Sequence, residues 1–316
     1  MALVLNLVYN HRYEGNIGRL TEIYGPRFSH VNHLIPFARS KAPSVVRVWE
    51  NGVTFSSHIA QAYDRIVTKG VSHYVFAADD LLLNPAIDEC NLLDLCGIGK
   101  DEAYTKNLAA LGEAYYLWVY LTRVVNMLRK PCFAFKSELP DISTALDLYT
   151  RLGIKNSETS LRGLSHWNRK IILTLRDVLR HPQFVLEAIR ATLFHEPKYP
   201  LLFGYSDFFV VPARGFEDFA HYCGVFGALN LFAEVAIPTA LALACPIVRT
   251  EYLPGEVFAG CKAPEVNPER QWRGKEWWGS EIREFEDRYG LSLQRLVDEF
   301  PEHCIYVHPV KLSKWK

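Results

Sequence analysis

The chain has 316 residues, 49% of them hydrophobic, enough to bury the core of one large α/β domain or of two ordinary ones. Lys plus Arg and Asp plus Glu number 35 each, so no global charge draws the protein toward nucleic acid and any anion recognition has to be local. Seven cysteines lie scattered without a CxxC pair or other zinc spacing, which fits reduced thiols in a cytoplasmic compartment better than a disulfide framework.

The opening stretch MALVLNLVYNHRYEG lacks the basic start, apolar run and small-residue cleavage site of a secretory signal, and its LVLNLVY core reads as a strand covered on both faces. Residues 10–16 form a polar loop, and NIGRLTEIYG reads as a helix closed by Gly25-Pro26. SHVNHLIPF and SVVRVWE are short strands, SSHIAQAYDRIVTKG is an amphipathic helix, and SHYVFAADD is a further strand that its two acids terminate. Strands alternating with helices over the first eighty residues imply parallel pairing through crossovers, a Rossmann-like half.

From about Asp101 to Glu196 the pattern turns largely helical, with a loop at SELPDIS and a turn at Gly153, and is read as a helical insertion. The apolar segment EAYYLWVYLTRVVNMLRK is interrupted by Arg123, and the one from Val225 to Val248 carries Glu234 and two prolines, so neither is expected to span a bilayer. Strand character resumes in LLFGYSDFFVVP, followed by the helix GFEDFAHYCGVFG, the buried stretch NLFAEVAIPTALALA and the strand PIVRTEYL. A helix is expected through SEIREFEDRYGLSLQRLVDEF, before the closing stretch HCIYVHPVKLSKWK. The expected architecture is therefore one continuous α/β domain: a mostly parallel sheet flanked by helices, with a helical insertion in its middle.

In such a sheet ligands collect beyond the carboxyl ends of the strands, and three polar clusters fall there: Asn10 to Tyr13, Trp49 to Asn51, and Asp79 with Asp80. An unpaired carboxylate is costly to bury, so adjacent acids after an apolar strand belong where a cation or solvent meets them. Oxygen ligands at a strand tip suit Mg²⁺ or Mn²⁺, which keep positions open for phosphate and water. A cap on the following turn is the structural alternative. Glu234, flanked by Phe232, Ala233, Val235 and Ala236, is placed for burial to raise its pKa toward that of a general base, or else to pair with Arg249. His30 and His33 stand three apart on a strand and so face opposite sides, which argues against a zinc pair. CGIGK lacks P-loop spacing and no GxGxxG follows the first strand. The WRGKEWWG stretch offers aromatic faces for a sugar, though simple packing is the favoured explanation.

The order of these pieces, with ADD delivered by a strand before LLLNP, resembles the nucleotide-sugar half of the GT-A class of glycosyltransferases. In that class a DxD motif serves ribose and a divalent metal; here Asp80 takes the place of its last acid, while Ala78 stands where the first usually does. The stretch VHPVKLSKW resembles the HxxGxxKPW signature of some retaining members, without its glycine and with shorter spacing. GYSDFFVVPARGFEDF resembles an acceptor half. The resemblance covers about two thirds of the chain, with NHRYEGN, ADDLLLNP and YSDFFVVP suggesting bacterial polysaccharide galactofuranosyltransferases.

By that resemblance residues 1–316 form a single GT-A-like domain: a nucleotide-binding half over 1–100, the helical insertion over 101–196, and an acceptor half with the closing stretch over 197–316. Asn10 and Arg12 line the nucleotide, Glu50 accepts from the base, Asp79 holds ribose, and Asp80 and His308 hold Mn²⁺ or Mg²⁺. Lys311, or Lys314, meets the diphosphate. Glu234 is the base, with Asp207 as alternative base or acceptor contact. The base assignment favours inversion and the closing signature favours retention. The implied activity is transfer of a sugar from a nucleoside diphosphate sugar, uridine-linked and with galactofuranose as the specific candidate, to a glycan or glycolipid in cell-surface polysaccharide synthesis. The expected protein is cytoplasmic, with peripheral attachment at the membrane as a variant, and takes no nucleic acid. Rival readings are a sugar nucleotidyltransferase, for which NHRYEGN is a poor glycine-rich loop, and a nucleotide- or carbohydrate-binding protein without turnover.

Overall fold

The structure, a computed structural model, describes residues 2–111, 137–154, 199–253 and 266–316. The two long helical patterns expected within 113–130 and 164–196 lie outside the described residues. The first half alternates as read: β1 (Leu3–Val8), α1 (Ile17–Tyr24), β2 (His30–Pro36), β3 (Val45–Val48), α2 (Ser56–Ile66) and β4 (His73–Ala78). After β4 come the short β5 (Leu82–Leu83), the single turn α3 (Leu92–Leu95), β6 (Ala103–Thr105) and β7 (Ala109–Ala110). The remaining elements are α4 (Ile142–Arg151), β8 (Leu202–Phe203), β9 (Phe208–Pro212), α5 (Phe216–Ala228), α6 (Ala233–Ala244), β10 (Val248–Arg249), β11 (Arg273–Glu276), α7 (Ser280–Tyr289), α8 (Leu293–Asp298) and β12 (Cys304–His308).

The central sheet has seven strands in the order β10-β6-β9-β4-β1-β2-β3. All run parallel except β9, which is antiparallel to both neighbours. The run β3-β2-β1-β4 follows the order of a doubly wound Rossmann half, in which the chain reverses direction between β1 and β4. Alternation on β1 explains why all but one of its residues are apolar, because successive side chains serve opposite layers. Val4 and Val8 pack with α2, α5 and α6 on one face. Leu3, Leu5 and Leu7 pack with α1, α7 and β12 on the other. The one polar member, Asn6, is buried and satisfied by Asn32, its register partner on β2 (Nδ2 to Oδ1, 3.0 Å). β12 pairs with β11 and, antiparallel, with β5, forming a small second sheet that folds residues 304–308 back beside β4.

Two expectations are corrected. The segment beginning at Asp101, read as helical, opens with β6, a strand of the central sheet, and with β7. At three and two residues both are too short to display a period. The helix expected from Ser280 to Phe300 is two helices, α7 and α8, because Gly290 (φ 60°) and Leu291 (φ 54°) both adopt left-handed backbone that no helix continues through. As its strand position implies, His33 is buried and His30 exposed. The aromatic stretch 272–278 mostly packs, with Trp277 stacked on Phe285 at 3.9 Å and Trp272 edge-on to His303, while Trp278 is exposed. Among the described residues no helix is long and apolar enough to cross a membrane.

Candidate functional site

Every parallel strand ends, and antiparallel β9 begins, at one edge of the sheet, so this edge gathers side chains from remote parts of the sequence. Asn10 follows β1, Glu50 follows β3, Asp79 and Asp80 follow β4, Lys106 follows β6, and Ser206 and Asp207 precede β9. The reversal between β1 and β4 opens the crevice where open α/β sheets bind their ligands. Two contacts close its floor: the Asp79 amide donates to the Val8 carbonyl (3.0 Å), and the Ala78 amide to the Asp207 carbonyl (2.8 Å). The turn after β3 is drawn against the end of β1 because Gly52 has no side chain; a Cβ there would stand 2.4 Å from the Asn10 carbonyl oxygen. Glu50 at that turn accepts from the Asn51 amide (2.7 Å) and side chain (2.6 Å), and Arg12 lies exposed on the loop after β1.

The centre of the site is a chain of hydrogen bonds. His308 Nε2 lies 3.2 Å from Asp80 Oδ1, and its Nδ1 lies 2.8 Å from the Tyr205 hydroxyl. The Tyr205 hydroxyl in turn bonds the Asp207 carboxylate. Residues 308–311 reach β4 because β12 pairs with β5, and the Val310 amide donates to the Asp80 carbonyl (2.6 Å). Lys311 is exposed and near enough for its charge to act on Asp80. Lys314 instead reaches Glu286 at 3.2 Å, so of the two lysines left open by sequence only Lys311 bears on the acids. Tyr205 is held from beneath: its amide donates to Asn107 Oδ1 (2.8 Å), and the buried Lys106 ammonium, ion-paired with Glu276, lies 5.5 Å from its ring centroid.

The electrostatics divide the acids. Burial alone would raise Asp80, but the hydrogen bond and charge of His308 and the charge of Lys311 outweigh it, so the carboxyl sits below its ordinary range. His308 moves the other way: burial would lower it, yet the Asp80 bond and the charges of Asp207 and Asp80 raise it. Asp79 is 6% exposed, and burial followed by the neighbouring Asp80 charge pushes it up to about 7, with only Asn16 Nδ2 (3.3 Å) and backbone amides opposing. Burial also raises Asp207. Asp79 therefore holds its proton more tightly when folded, and by linkage its ionisation costs stability as pH rises from about 4 to about 7. Asp79→Asn is expected to stabilise the metal-free protein by on the order of 2 kcal/mol above pH 7, and the gain should vanish near pH 4. Urea denaturation across this range checks it; a gain that does not shrink with acid would contradict the assignment.

A cavity of about 10 Å³, room for roughly one water, lies beside this chain, lined by Asn10, Ala78, Ser206 and Asp207 with Phe55 and Phe76. Space of that size takes a single hydroxyl-sized group and neither a sugar ring nor a nucleotide. Glu234 lies on the first turn of α6, where its carbonyl accepts from the Gly204 amide (3.0 Å) and its charge acts on Tyr205. Arg249, weighed as its partner, pairs instead with Glu102 at 2.5 Å.

Among the described residues no group of three or more His, Cys, Asp or Glu side chains is placed to hold a metal ion. Asp80 and His308 make a pair, and neither Asp79 nor Asp80 is ion-paired to an arginine among those residues. A separation of 3.2 Å is close to that of neighbouring ligands around an octahedral ion with bonds of about 2.1 Å, and hard divalent ions are commonly held by one or two protein groups plus substrate phosphates. In the metal-free protein His308 Nε2–H donates to Asp80; with Nδ1–H donated to the Tyr205 hydroxyl, loss of the Nε2 proton would leave a lone pair beside Asp80, the tautomer a metal needs. The pair thus fits such an ion. Sequence reasoning named Gly204–Asp207 as a polar strand start but gave Tyr205 no role, and it missed Asn16 and Lys106. Their signal is weak, since their partners are set by the antiparallel course of β9 and the return of β12. No protein-family model matches the chain, and neither the curated proteins nor the solved structures searched contain a match.

Proposed function

We propose that the protein transfers a glycosyl group from a nucleoside diphosphate sugar, uridine-linked in the first instance, to a saccharide hydroxyl. The observation that supports this most is the convergence of Asp80, His308 and Lys311 with Asp79 and Asn10 at the crevice between β1 and β4. An acid, an imidazole and an exposed ammonium beside a strand reversal match a diphosphate that is held and then released. A GT-A type of fold agrees with the Rossmann order β3-β2-β1-β4 and with the acids at the tip of β4.

In this reading Asp80 and His308 hold Mn²⁺ or Mg²⁺ when it is bound, and the ion supplies charge neutralisation at the diphosphate. Asn10, Arg12 and Glu50 border the nucleotide, and Asp79 accepts from ribose. The Lys311 ammonium offsets the negative charge that grows on the departing diphosphate. As the sugar–oxygen bond to the diphosphate breaks and one to the acceptor forms, the acceptor hydroxyl gives its proton to a carboxylate. Asp207, on the cavity wall with a raised pKa, is favoured for that role over Glu234. This arrangement leans toward inversion.

The test is thermal unfolding with a panel of nucleotides and sugar nucleotides, with and without Mn²⁺. A ligand bound only by the native state at a hundredfold excess over its Kd stabilises by about 2.7 kcal/mol. A uridine sugar nucleotide is expected to raise the melting temperature, and more so with Mn²⁺. No response to any nucleotide diphosphate would overturn the proposal.

A further inference from the structure

We infer that the edge of the sheet at β3 is a docking surface for an anionic lipid bilayer. An open groove between β3, the turn before it and α2 is lined by Lys41, Arg47 and Arg65, and no acid lines it. At one end of it stand Trp49, 63% exposed, and Phe37, 50% exposed, with ring centroids 5.9 Å apart. Phe37 is held in left-handed backbone (φ 54°), a conformation costly to a bulky residue that a glycine or asparagine adopts more easily. The fold thus keeps two large aromatic side chains in water, one of them against its backbone preference, beside three exposed cations.

Nearby acids are otherwise engaged: the Glu14 carboxylate accepts from the Arg39 (2.7 Å) and Ser40 (3.1 Å) amides, and Glu50 from Asn51. Exposed Asp64, beside Arg65 on α2, is a further opposing charge near the margin. Competing partners fit less well. Strand addition is blocked, because the Trp49 amide is taken by Gln61 (2.7 Å) and the Val45 amide by the Ala42 carbonyl (2.9 Å). Base stacking wants parallel ring faces, whereas these rings meet at 70°. Aromatic rings flanked by Lys and Arg match the interfacial zone of a bilayer, where rings bury among the headgroups and cations meet anionic lipid. Trp49 and Phe37 follow the carboxyl ends of β3 and β2, and the tip of β3 lies three strand spacings, about 14 Å, from that of β4, so docking through the rings would leave the crevice beside the membrane.

The experiment is co-sedimentation of the full chain with vesicles of phosphatidylcholine alone or mixed with phosphatidylglycerol, at low and high salt. Binding is expected only to the anionic vesicles and should weaken with salt. Replacing Lys41, Arg47 and Arg65 together by Ala should weaken it on the order of 100-fold. Trp49→Ala should weaken it about tenfold. Circular dichroism establishes that the variants fold. Absence of sedimentation, equal binding to neutral vesicles, equal binding by the variants, or retention by duplex DNA in place of vesicles would each overturn the inference. Nucleotide-dependent thermal shifts of the Lys41, Arg47 and Arg65 triple variant should match those of the unaltered chain, so failure of this surface is distinguishable from failure of the transferase proposal.

Discussion

Asp80→Asn is expected to reduce glycosyl transfer by roughly 100- to 1000-fold, the range seen when one charge-stabilising group at a reacting centre is lost. The amide keeps the size of the side chain but removes the charge that faces His308 Nε2. The additional thermal stabilisation that Mn²⁺ confers on a nucleotide complex should disappear with it. Folding should survive, because Asp80 is partly solvated and its backbone carbonyl still accepts from Val310. The sign of the stability change follows from the two partners. Asp80 is lowered from 3.8, so its contribution exists above that value and is lost as pH falls through its folded pKa. His308 is raised from 6.5, so its contribution is full below that value and is lost as pH rises through its folded pKa. The pair therefore stabilises most between about pH 4 and 6.5, and Asp80→Asn should cost about 1 to 2 kcal/mol there and less at either side. Turnover unchanged by the substitution, measured as uridine diphosphate release, would remove Asp80 from the reaction.

Trp315→Ala should be the most destabilising single change in the closing stretch, by about 3 to 5 kcal/mol. The side chain is 2% exposed and packs on Phe285 at 5.2 Å and Tyr289 at 6.4 Å. Around it the backbone is tied down. Arg19 donates to the carbonyls of Leu312 (2.6 Å) and Trp315 (2.7 Å), and Lys316 exchanges hydrogen bonds with Leu291 and Leu293. These anchors hold the turn that presents His308 and Lys311 to β4. Loosening them should lower nucleotide affinity as well as stability. Trp315→Phe should cost about half as much, because the indole Nε1 is buried without a hydrogen-bond partner among the described residues and its removal strands nothing. Guanidinium denaturation of both variants checks the order; equal stabilities would mean that the ring does not hold this segment.

The first eighty residues were legible because each element there carries a full period. β1 and β4 are apolar on both faces, and the tails of those runs mark where the polar clusters fall. Asp79, Asp80 and His308 could be singled out from residue type and position, and the resemblance of VHPVKLSKW put His308 and Asp80 at one expected metal site, but residue type and spacing by themselves carry no sign of a contact across more than two hundred residues. That contact depends on β12 folding back on the two-residue β5, an element with no signal of its own. Lys106 illustrates the opposite failure. In AYTKNLAA a lysine reads as the solvated face of a helix, and it is buried only because β6 ends beside β11, where Glu276 meets it. The break between α7 and α8 was hidden in the same way, since one glycine in an amphipathic pattern is compatible with an unbroken helix until Leu291 also turns left-handed.

The pairing of residues 82–83 with residues 306–307 has a kinetic consequence. Contacts between such distant positions are slow to form, and on a ribosome they cannot form until the later partner has emerged. The β1–β4 layer can collapse early in translation while its crevice still lacks an imidazole and an ammonium. On the proposed reading ligand competence is gained in one late step, once residues 306–311 have left the ribosome, and a nascent or prematurely stopped chain would carry an early-folded layer without the groups that complete the crevice.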